Sequence, residues 1–258
     1  MDINDISLRQ EKIYNFIRSH NFVTIPDVSK VLNISESTTR RDIKVLEIQG
    51  SICVFHGGVY APLGYGSFSE RITKNIKEKD MIAEEAVKLV DSNDLIYIGG
   101  GSTLYKFALS LSGKRGVSNI TVVTSAMNVA ATFLSSTIIK IIFIGGELIS
   151  LDESMTSKIT IDFLGKFNFD KAFIGTQAIS AQQGYTLPNL ELSELKKVVI
   201  SHSKQVILLC DHTKIGKISP FNTCPMSDID YLVTDHKAKD NKELEEIKKS
   251  GTKVILAG

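Results

Sequence analysis

At 258 residues the chain can hold one small module and one larger domain. With 43% hydrophobic residues, 23% charged residues and a net charge of +1, it has the composition of an ordinary soluble globular protein, and the charge singles out no class of partner. No apolar run approaches the roughly 20 residues of a membrane span; the polar, acidic start MDINDISLRQ is unlike a signal peptide; and Cys53, Cys210 and Cys224, widely spaced, suggest neither a disulfide framework nor a zinc motif, which fits a reducing cytoplasm.

The first element opens at Ser7-Leu-Arg-Gln10, a capping-box pattern, and carries Leu8, Ile13, Phe16 and Ile17 on its apolar side. Thr24-Ile-Pro-Asp27 opens a second, short helix with Pro26 in its first turn and Val28, Val31 and Leu32 facing inward. Asn33-Ile34 turns tightly into a third helix, capped by Ser35 and ended by Gly50. Thr39, Ile43 and Leu46 fall in helical phase and can face a core, which leaves Ser37, Thr38, Arg40, Arg41 and Lys44 largely to solvent. Hydroxyls reach phosphates and base edges, and a guanidinium can grip guanine bidentately. A short hairpin follows, so the order is helix, helix, tight turn, helix, wing: a winged helix-turn-helix for double-stranded operator DNA. A three-helix bundle that binds protein shares the same helices. Residues 1–62 hold seven basic and seven acidic residues, so the module has no net charge. Since phosphate contacts supply much DNA affinity, such a module must cluster its positive charge locally and bind as a dimer or higher oligomer.

The stretch from Arg9 to Tyr60 resembles the DeoR-type helix-turn-helix of bacterial regulators. The matching signals are Ser35-x-Ser37-Thr38-x-Arg40-Arg41-Asp42, Leu46, Gly50 and His56-Gly57-Gly58. The wing departs from that pattern, with Cys53-Val54 where basic residues often stand. For His56, a DNA contact and a turn-stabilising role both remain open.

Proline, two glycines and serine between Ala61 and Ser67 read as a linker, giving a DNA-binding domain over 1–60, a linker over 61–68 and a larger domain over 69–258. A long helix from about Ser69 to Val90 then joins the domains or helps dimerisation. Beyond it, short β-branched runs alternate with helical stretches. Strands are expected at Leu95–Ile98, Ile120–Val123, Ile139–Ile144, Lys171–Ile174, Gln205–Leu209, Tyr231–Thr234 and Lys253–Leu256. Helices are expected at Leu104–Leu111, Met127–Leu134, Ile159–Leu164, Leu190–His202 and Asn241–Ser250. Continuous Val/Ile runs between helices predict a Rossmann-like α/β domain with a parallel sheet buried on both faces. Ligands of such sheets bind outside the carboxyl ends of the strands.

The first strand-end loop, Gly99-Gly100-Gly101-Ser102-Thr103, suits a phosphate: glycines admit close approach to N–H groups, and the helix start and hydroxyls favour an anion. A plain glycine turn with a Ser/Thr cap has the same residues. The loop is neither the dinucleotide fingerprint nor a P-loop, and no cofactor is expected. Thr124-Ser125 and Gly145-Gly146-Glu147 end the next two strands. Gln177, Glu191, Lys196, Asp211 and Lys214, with Lys217 nearby, are further ligand-side candidates. A strand-end lysine can pair with a phosphate or simply be a solvated loop cation. His202, Cys210, Asp211 and His212 lack paired ligand spacing and read as ordinary strand-end residues, so no metal is expected.

These loops, from about Ile96 to Thr234, resemble the C-terminal sensor domain of the same DeoR family. The matches are Gly101-Ser102-Thr103, Val123-Thr124-Ser125, Gly145-Gly146-Glu147, Asp170-Lys171-Ala172-Phe173, Gly184-Tyr-Thr186, Glu191, Lys196 and Asp211-x-x-Lys214. The resemblance implies a fold related to ribose-5-phosphate isomerase and glucosamine-6-phosphate deaminase, a phosphorylated sugar or related metabolite as effector, and a homo-oligomer, dimer or tetramer, through which binding changes DNA affinity. Gly99 and Gln177 stand where acidic residues often occur, and Ala178 replaces a frequent glycine. A transcriptional regulator of a sugar-metabolism operon, a repressor rather than an enzyme, accounts for both halves. The alternative is a sugar-phosphate isomerase or deaminase with an appended DNA-binding module. Glu147, Glu191 and Asp211 could supply its carboxylates, but no spacing identifies a paired acid and base. A helix-bundle adaptor leaves the glycine loops unexplained.

Overall fold

A computed structural model of the chain describes residues 3–20, 23–48, 51–55, 58–60, 68–149 and 154–258. Contacts divide the chain into two compact units, Met1–Ser67 and Phe68–Gly258. The linker stretch 61–67, His56 and the helix-ending Gly50 lie outside the described residues.

The first unit contains α1 (Ile3–Ser19), α2 (Ile25–Leu32), α3 (Glu36–Ile48) and a hairpin of β1 (Cys53–Phe55) with β2 (Gly58–Tyr60). α1 begins before the expected Ser7 start, because residues 3–6 contain no glycine or proline to stop it. Thr24 and Asp27 form a reciprocal capping box at α2, and Asn33, left-handed at φ 53°, ends that helix by donating its N–H to Ser29. Ser35 Oγ accepts the Thr38 N–H at 3.3 Å and starts α3. Ile13, Ile17, Val28, Ile43, Leu46 and Val59 close the core. Val31, expected inside, is 59% exposed: a two-turn helix turns one narrow stripe inward, through Val28 and the half-buried Leu32. Val23 and Val59 exchange backbone hydrogen bonds at 2.9 and 2.7 Å, joining the wing to the segment before α2.

The second unit opens with α4 (Phe68–Ile72) and α5 (Ile76–Val87). The single long helix expected from 69 to 90 is broken where Asn75 turns left-handed at φ 51°. The buried Lys79 stabilises the break, donating to the carbonyls of Arg71 at 2.5 Å and Lys74 at 2.6 Å. There follow β3 (Leu95–Ile98), α6 (Ser102–Ser112), β4 (Ile120–Thr124), α7 (Met127–Ala131), β5 (Ile139–Phe143), β6 (Leu148–Ile149), β7 (Ser154–Met155) and α8 (Lys158–Leu164). Then come β8 (Phe169–Gly175), β9 (Ala178–Ser180), β10 (Gly184–Leu187), α9 (Leu190–Ser201), β11 (Ser203–Leu209), β12 (Phe221–Cys224), β13 (Tyr231–Asp235), α10 (Lys242–Lys249) and β14 (Lys253–Ala257). α7 stops short of the expected Leu134, with Thr132 Oγ1 donating back to Val129 in its last turn.

All the expected strands join one seven-stranded parallel sheet in the order β14-β13-β11-β8-β3-β4-β5. Alternation along β3 sends Ile96 and Ile98 to a layer with α5 and α6, where Phe107 stacks on Phe173 at 4.3 Å. Tyr97 points to the opposite layer, with Phe169, Leu195 and Val199. The antiparallel set β12-β10-β9 and the β6-β7 pair were not expected. They are strands of two to four residues without long β-branched runs. From β3 the sheet grows one way through β4 and β5 and the other way through β8, β11, β13 and β14. The β3/β8 boundary is therefore a topological switch point, and in open α/β sheets the crevice outside the carboxyl ends at such a point is where ligands bind.

Candidate functional site

On α3 the small hydroxyls form one group. Ser35 Oγ lies 3.0 Å from Ser37 Oγ and donates to Thr38 Oγ1 at 2.9 Å. Arg40, Arg41 and Lys44 are exposed. Arg40 pairs with Glu36 at 3.1 Å and Lys44 with Glu47 at 2.9 Å, both exposed pairs on the same helix. Among the described residues Arg41 has no such carboxylate partner. Asp42, beside these cations in sequence, faces the other way. It is buried and accepts from Arg9 Nε at 2.5 Å, Arg9 Nη2 at 3.1 Å and Gln10 Nε2 at 3.3 Å. Arg9 and Asp42 thus neutralise each other inside the unit, and the remaining positive charge of α3 is collected on its outer face.

In the second unit the loop 99–103 lies at the switch point. Gly99 N–H donates to the Phe173 carbonyl at 3.0 Å, tying the end of β3 to β8. Gly101 caps α6 at φ 121°, a conformation suited to glycine, and no side chain occupies the cap. The first-turn N–H groups of α6 are therefore available to an anion. Ser102 is buried and Thr103 half-buried in that turn.

A cation lies beside this terminus, and others neighbour that cation in turn. A Cβ placed on Gly101 would lie 3.9 Å from Arg71 Nη1. Burial pushes the Lys79 ammonium down to about 8; Asp211 opposes the fall, while Lys214, Arg71 and Lys106 add to it. Burial likewise lowers Lys214, against Asp211 and together with Lys217 and Arg71. These mutual influences put Arg71, Lys79, Asp211 and Lys214 in one electrostatic neighbourhood. Asp211 is buried and holds its own turn, accepting from Thr213 N–H at 3.0 Å. Arg71 and Lys79 are not among the candidates the sequence suggests, where their helix joins the domains or helps dimerisation. A signal existed: Lys79 stands one turn before Ile82 and Ala83, in phase with the buried stripe.

Lys196 approaches from the other face of the sheet. It is 6% exposed, and its Nζ donates to Tyr97 Oη at 3.2 Å and lies 4.9 Å from the centroid of that ring. Gln177 is half-buried just after β8, and Glu191 is exposed in the first turn of α9, whose cap is Asn189. The carboxyl ends of β3, β8 and β11 thus carry Gly99–Thr103, Gln177, and Asp211 with Lys214 at one end of the sheet, and Gly99 lies over Lys196.

The remaining candidates serve local structure or lie outward. Thr124 Oγ1 accepts the Ala126 N–H at 3.1 Å, and the Ser125 carbonyl accepts from Met155 at 2.7 Å. Gly146, at φ 159°, packs so closely on Thr160 that a Cβ would collide with its hydroxyl. Glu147 is exposed beyond β5, the edge strand. Asp170-Lys171 works at the opposite end of the sheet: Lys171 pairs with Asp91 at 2.6 Å and Asp94 at 2.7 Å, and Asp170 accepts the Leu95 N–H at 2.9 Å. His202 Nδ1 lies 2.8 Å from the Val198 carbonyl and His212 Nδ1 lies 2.9 Å from Asp235. Among the described residues no group of three or more metal-ligating side chains assembles, and no helix is long and apolar enough to cross a membrane.

Two family models match the chain. That described as the DeoR-like helix-turn-helix domain covers residues 9–62, and that described as the DeoR C terminal sensor domain covers residues 74–236. The chain belongs to the DeoR family of helix-turn-helix transcriptional regulators. The resemblance read from its motifs therefore holds for both halves. Its relatives in the DeoR family include the HTH-type transcriptional regulator GolR of Listeria innocua, 32% identical over 89% of this chain and 90% of the relative. The HTH-type transcriptional repressor GlcR of Bacillus subtilis is 30% identical over 86% of each. The glycerol-3-phosphate regulon repressor of Escherichia coli is 27% identical over 88% of this chain and 90% of the relative. Among solved structures, ribose 5-phosphate isomerase A of Methanocaldococcus jannaschii is similar at 18% identity and a TM-score of 0.40, over 55% of each chain.

Proposed function

We propose that this DeoR-family regulator is a repressor of a sugar-metabolism operon, and that a phosphorylated sugar bound at the switch-point crevice alters its grip on the operator. The observation that carries the reading is the uncapped α6 terminus with Arg71, Lys79 and Lys214 beside it. Oriented N–H groups and several cations suit a phosphate dianion. The names of the relatives agree, since they include a lactose phosphotransferase system repressor and a glycerol-3-phosphate regulon repressor. Residues 1–60, through Ser35, Ser37, Thr38, Arg40, Arg41, Lys44 and His56, contact DNA. Residues 69–258 bind effector and assemble the oligomer. The apolar side chains Phe143, Leu148, Ile159 and Phe163, exposed at the β5 edge and its neighbours, support a dimer or tetramer. The effector acts only through its different affinity for the two arrangements of the paired DNA-binding units.

The protein acts as a sensor and not as an isomerase. Aldose–ketose chemistry needs a carboxylate base beside the sugar. Gly99 and Gln177 are neutral at the switch point, and Asp211 is engaged in its own turn. Purified protein incubated with ribose 5-phosphate and glucosamine 6-phosphate should release or retain operator in a ligand-dependent way, without forming product. Turnover on the order of 1 per second or faster would favour the enzyme reading instead.

A further inference from the structure

Lys196 is a buried cation that lacks a counter-charge. Among the described residues no carboxylate lies within ion-pair distance of its ammonium, which rests against the Tyr97 hydroxyl and ring. A buried ammonium has three N–H groups to satisfy, and leaving its charge unmatched is unfavourable. Gly99 sits directly over it. A Cβ on Gly99 would fall onto Lys196 Nζ. The backbone at Gly99 lies outside the left-handed region, unlike that at Gly101. Conformation therefore does not demand glycine at 99; room above the ammonium does. Gln177, just past the end of the neighbouring strand β8, is neutral, and among the described residues no acid pairs with this ammonium.

The crevice thus has two cationic poles. One is the α6 terminus with Arg71, Lys79 and Lys214, on the α5/α6 side of the sheet. The other is Lys196, on the Tyr97 side. The glycines that open onto them, Gly101 and Gly99, are two residues apart, so their Cα atoms are separated by at most about 7 Å. The first pole offers several N–H groups and cations, enough for a phosphate. The second offers one ammonium and one phenol hydroxyl, a set suited to a carboxylate.

We infer that the effector is a phosphorylated sugar acid, its phosphate held at the α6 terminus and its carboxylate held by Lys196 above Tyr97. This rests on the reading of the crevice as the effector site. It narrows the ligand class from any sugar phosphate to one with a second, smaller acid group at the far end of a short carbon chain.

Matched pairs of ligands test it on the full-length protein by isothermal titration: erythrose 4-phosphate with 4-phosphoerythronate, ribose 5-phosphate with 5-phosphoribonate, and glucose 6-phosphate with 6-phosphogluconate. In at least one pair the acid should bind tenfold or more tighter than the sugar phosphate. Lys196→Gln should abolish that preference. Gly99→Asp, which delivers a carboxylate from the protein to Lys196, should abolish it too while sugar phosphates still bind, and this second variant separates loss of the charge contact from a folding defect. Equal affinity within every pair, or a preference that survives both substitutions, overturns the assignment while the sugar-phosphate site stands. Tighter binding of fructose 1,6-bisphosphate than of any acid overturns the carboxylate assignment in favour of a second phosphate. If no phosphorylated compound binds, this inference and the effector reading fall together.

Discussion

The two units carry positive charge in opposite ways. On α3 the cations are exposed, and two of them, Arg40 and Lys44, rest against acids one turn away. Exposed pairs of this kind are worth roughly 0–1 kcal/mol and are screened by salt, so they can be exchanged for DNA phosphates at little cost. At the switch point the cations are buried: Lys79 and Lys196 are 4% and 6% exposed. There, a charge left without a partner is costly, and an anion that fits is held selectively. The first arrangement suits a long polyanion gripped and released; the second suits one small anion of defined charge. Their distribution also explains how a module with no net charge can serve DNA. Of the acids on α3, Asp42 fixes structure, and Glu36 and Glu47 lie within reach of displacement.

The sharpest challenge to that contrast is Asp42. It is the one acid of α3 turned inward, in a pair with Arg9. Asp42→Ala should remove the buried carboxylate that Arg9 and Gln10 donate to and destabilise the unit by about 3 kcal/mol, read as a lowered urea midpoint for the N-terminal transition. An unchanged midpoint would mean that the pair is no more structural than the exposed ones.

Next in size is a difference between neighbours. Arg41 has no carboxylate partner among the described residues, whereas Arg40 must first leave Glu36. Arg41→Ala should weaken operator binding by roughly 1–3 kcal/mol, and Arg40→Ala by less, in gel-shift titrations at fixed salt. Glu36→Gln should recover part of the gap by freeing Arg40. Equal losses from both arginines would show that the intrahelical pair does not restrain Arg40.

Legibility in the sequence followed the same physical divide. The strands of the large sheet stood out as short apolar runs between helices, and the central ones are largely buried on both faces, as in Ile120–Thr124 and Gln205–Leu209 within β11. The capping box at Thr24 and Asp27 was legible because its partners are three residues apart. The break between α4 and α5 was not, since it depends on Asn75 turning left-handed and on Lys79 satisfying two distant carbonyls. In the crevice, Gly99–Thr103 and Lys214 could be picked out from glycine and strand-end signals, and Lys196, inside α9, from the resemblance to the sensor domain. Arg71 and Lys79 were passed over, because a charge on a helix normally signifies solvent; for Lys79 only its phase with Ile82 and Ala83 pointed inward. The short strands β9, β10 and β12 are fixed by contact. Gly184, at φ 72°, meets the Cys224 carbonyl so closely that no side chain fits, which two-residue periodicity cannot reveal.

The smallest effect should come from titrating the crevice. Lys79 loses its proton from about 8 in the folded chain, against an ordinary value of 10.5. Below pH 8 it is an ammonium that attracts the effector; above pH 8 it is increasingly a neutral amine. A phosphate monoester, with its second pKa near 6, is a dianion throughout this range. Effector affinity should therefore fall as pH rises from 7 to 9, by no more than about tenfold, since at most one unit of titration past the lysine is involved. Bound anion stabilises the ammonium, so binding near pH 8 should take up a fraction of a proton, seen as a buffer-dependent heat in calorimetry. Stability of the free protein runs the other way. Between 8 and 10.5 the unfolded chain holds the proton that the folded chain has released, so this group's contribution to stability rises with pH over that window. Lys79→Gln should flatten both trends. α3 provides the control: its cations are exposed, and operator affinity should change little between pH 7 and 9 at constant salt. A parallel decline in operator and effector affinity would show that burial does not distinguish the two sets of charges.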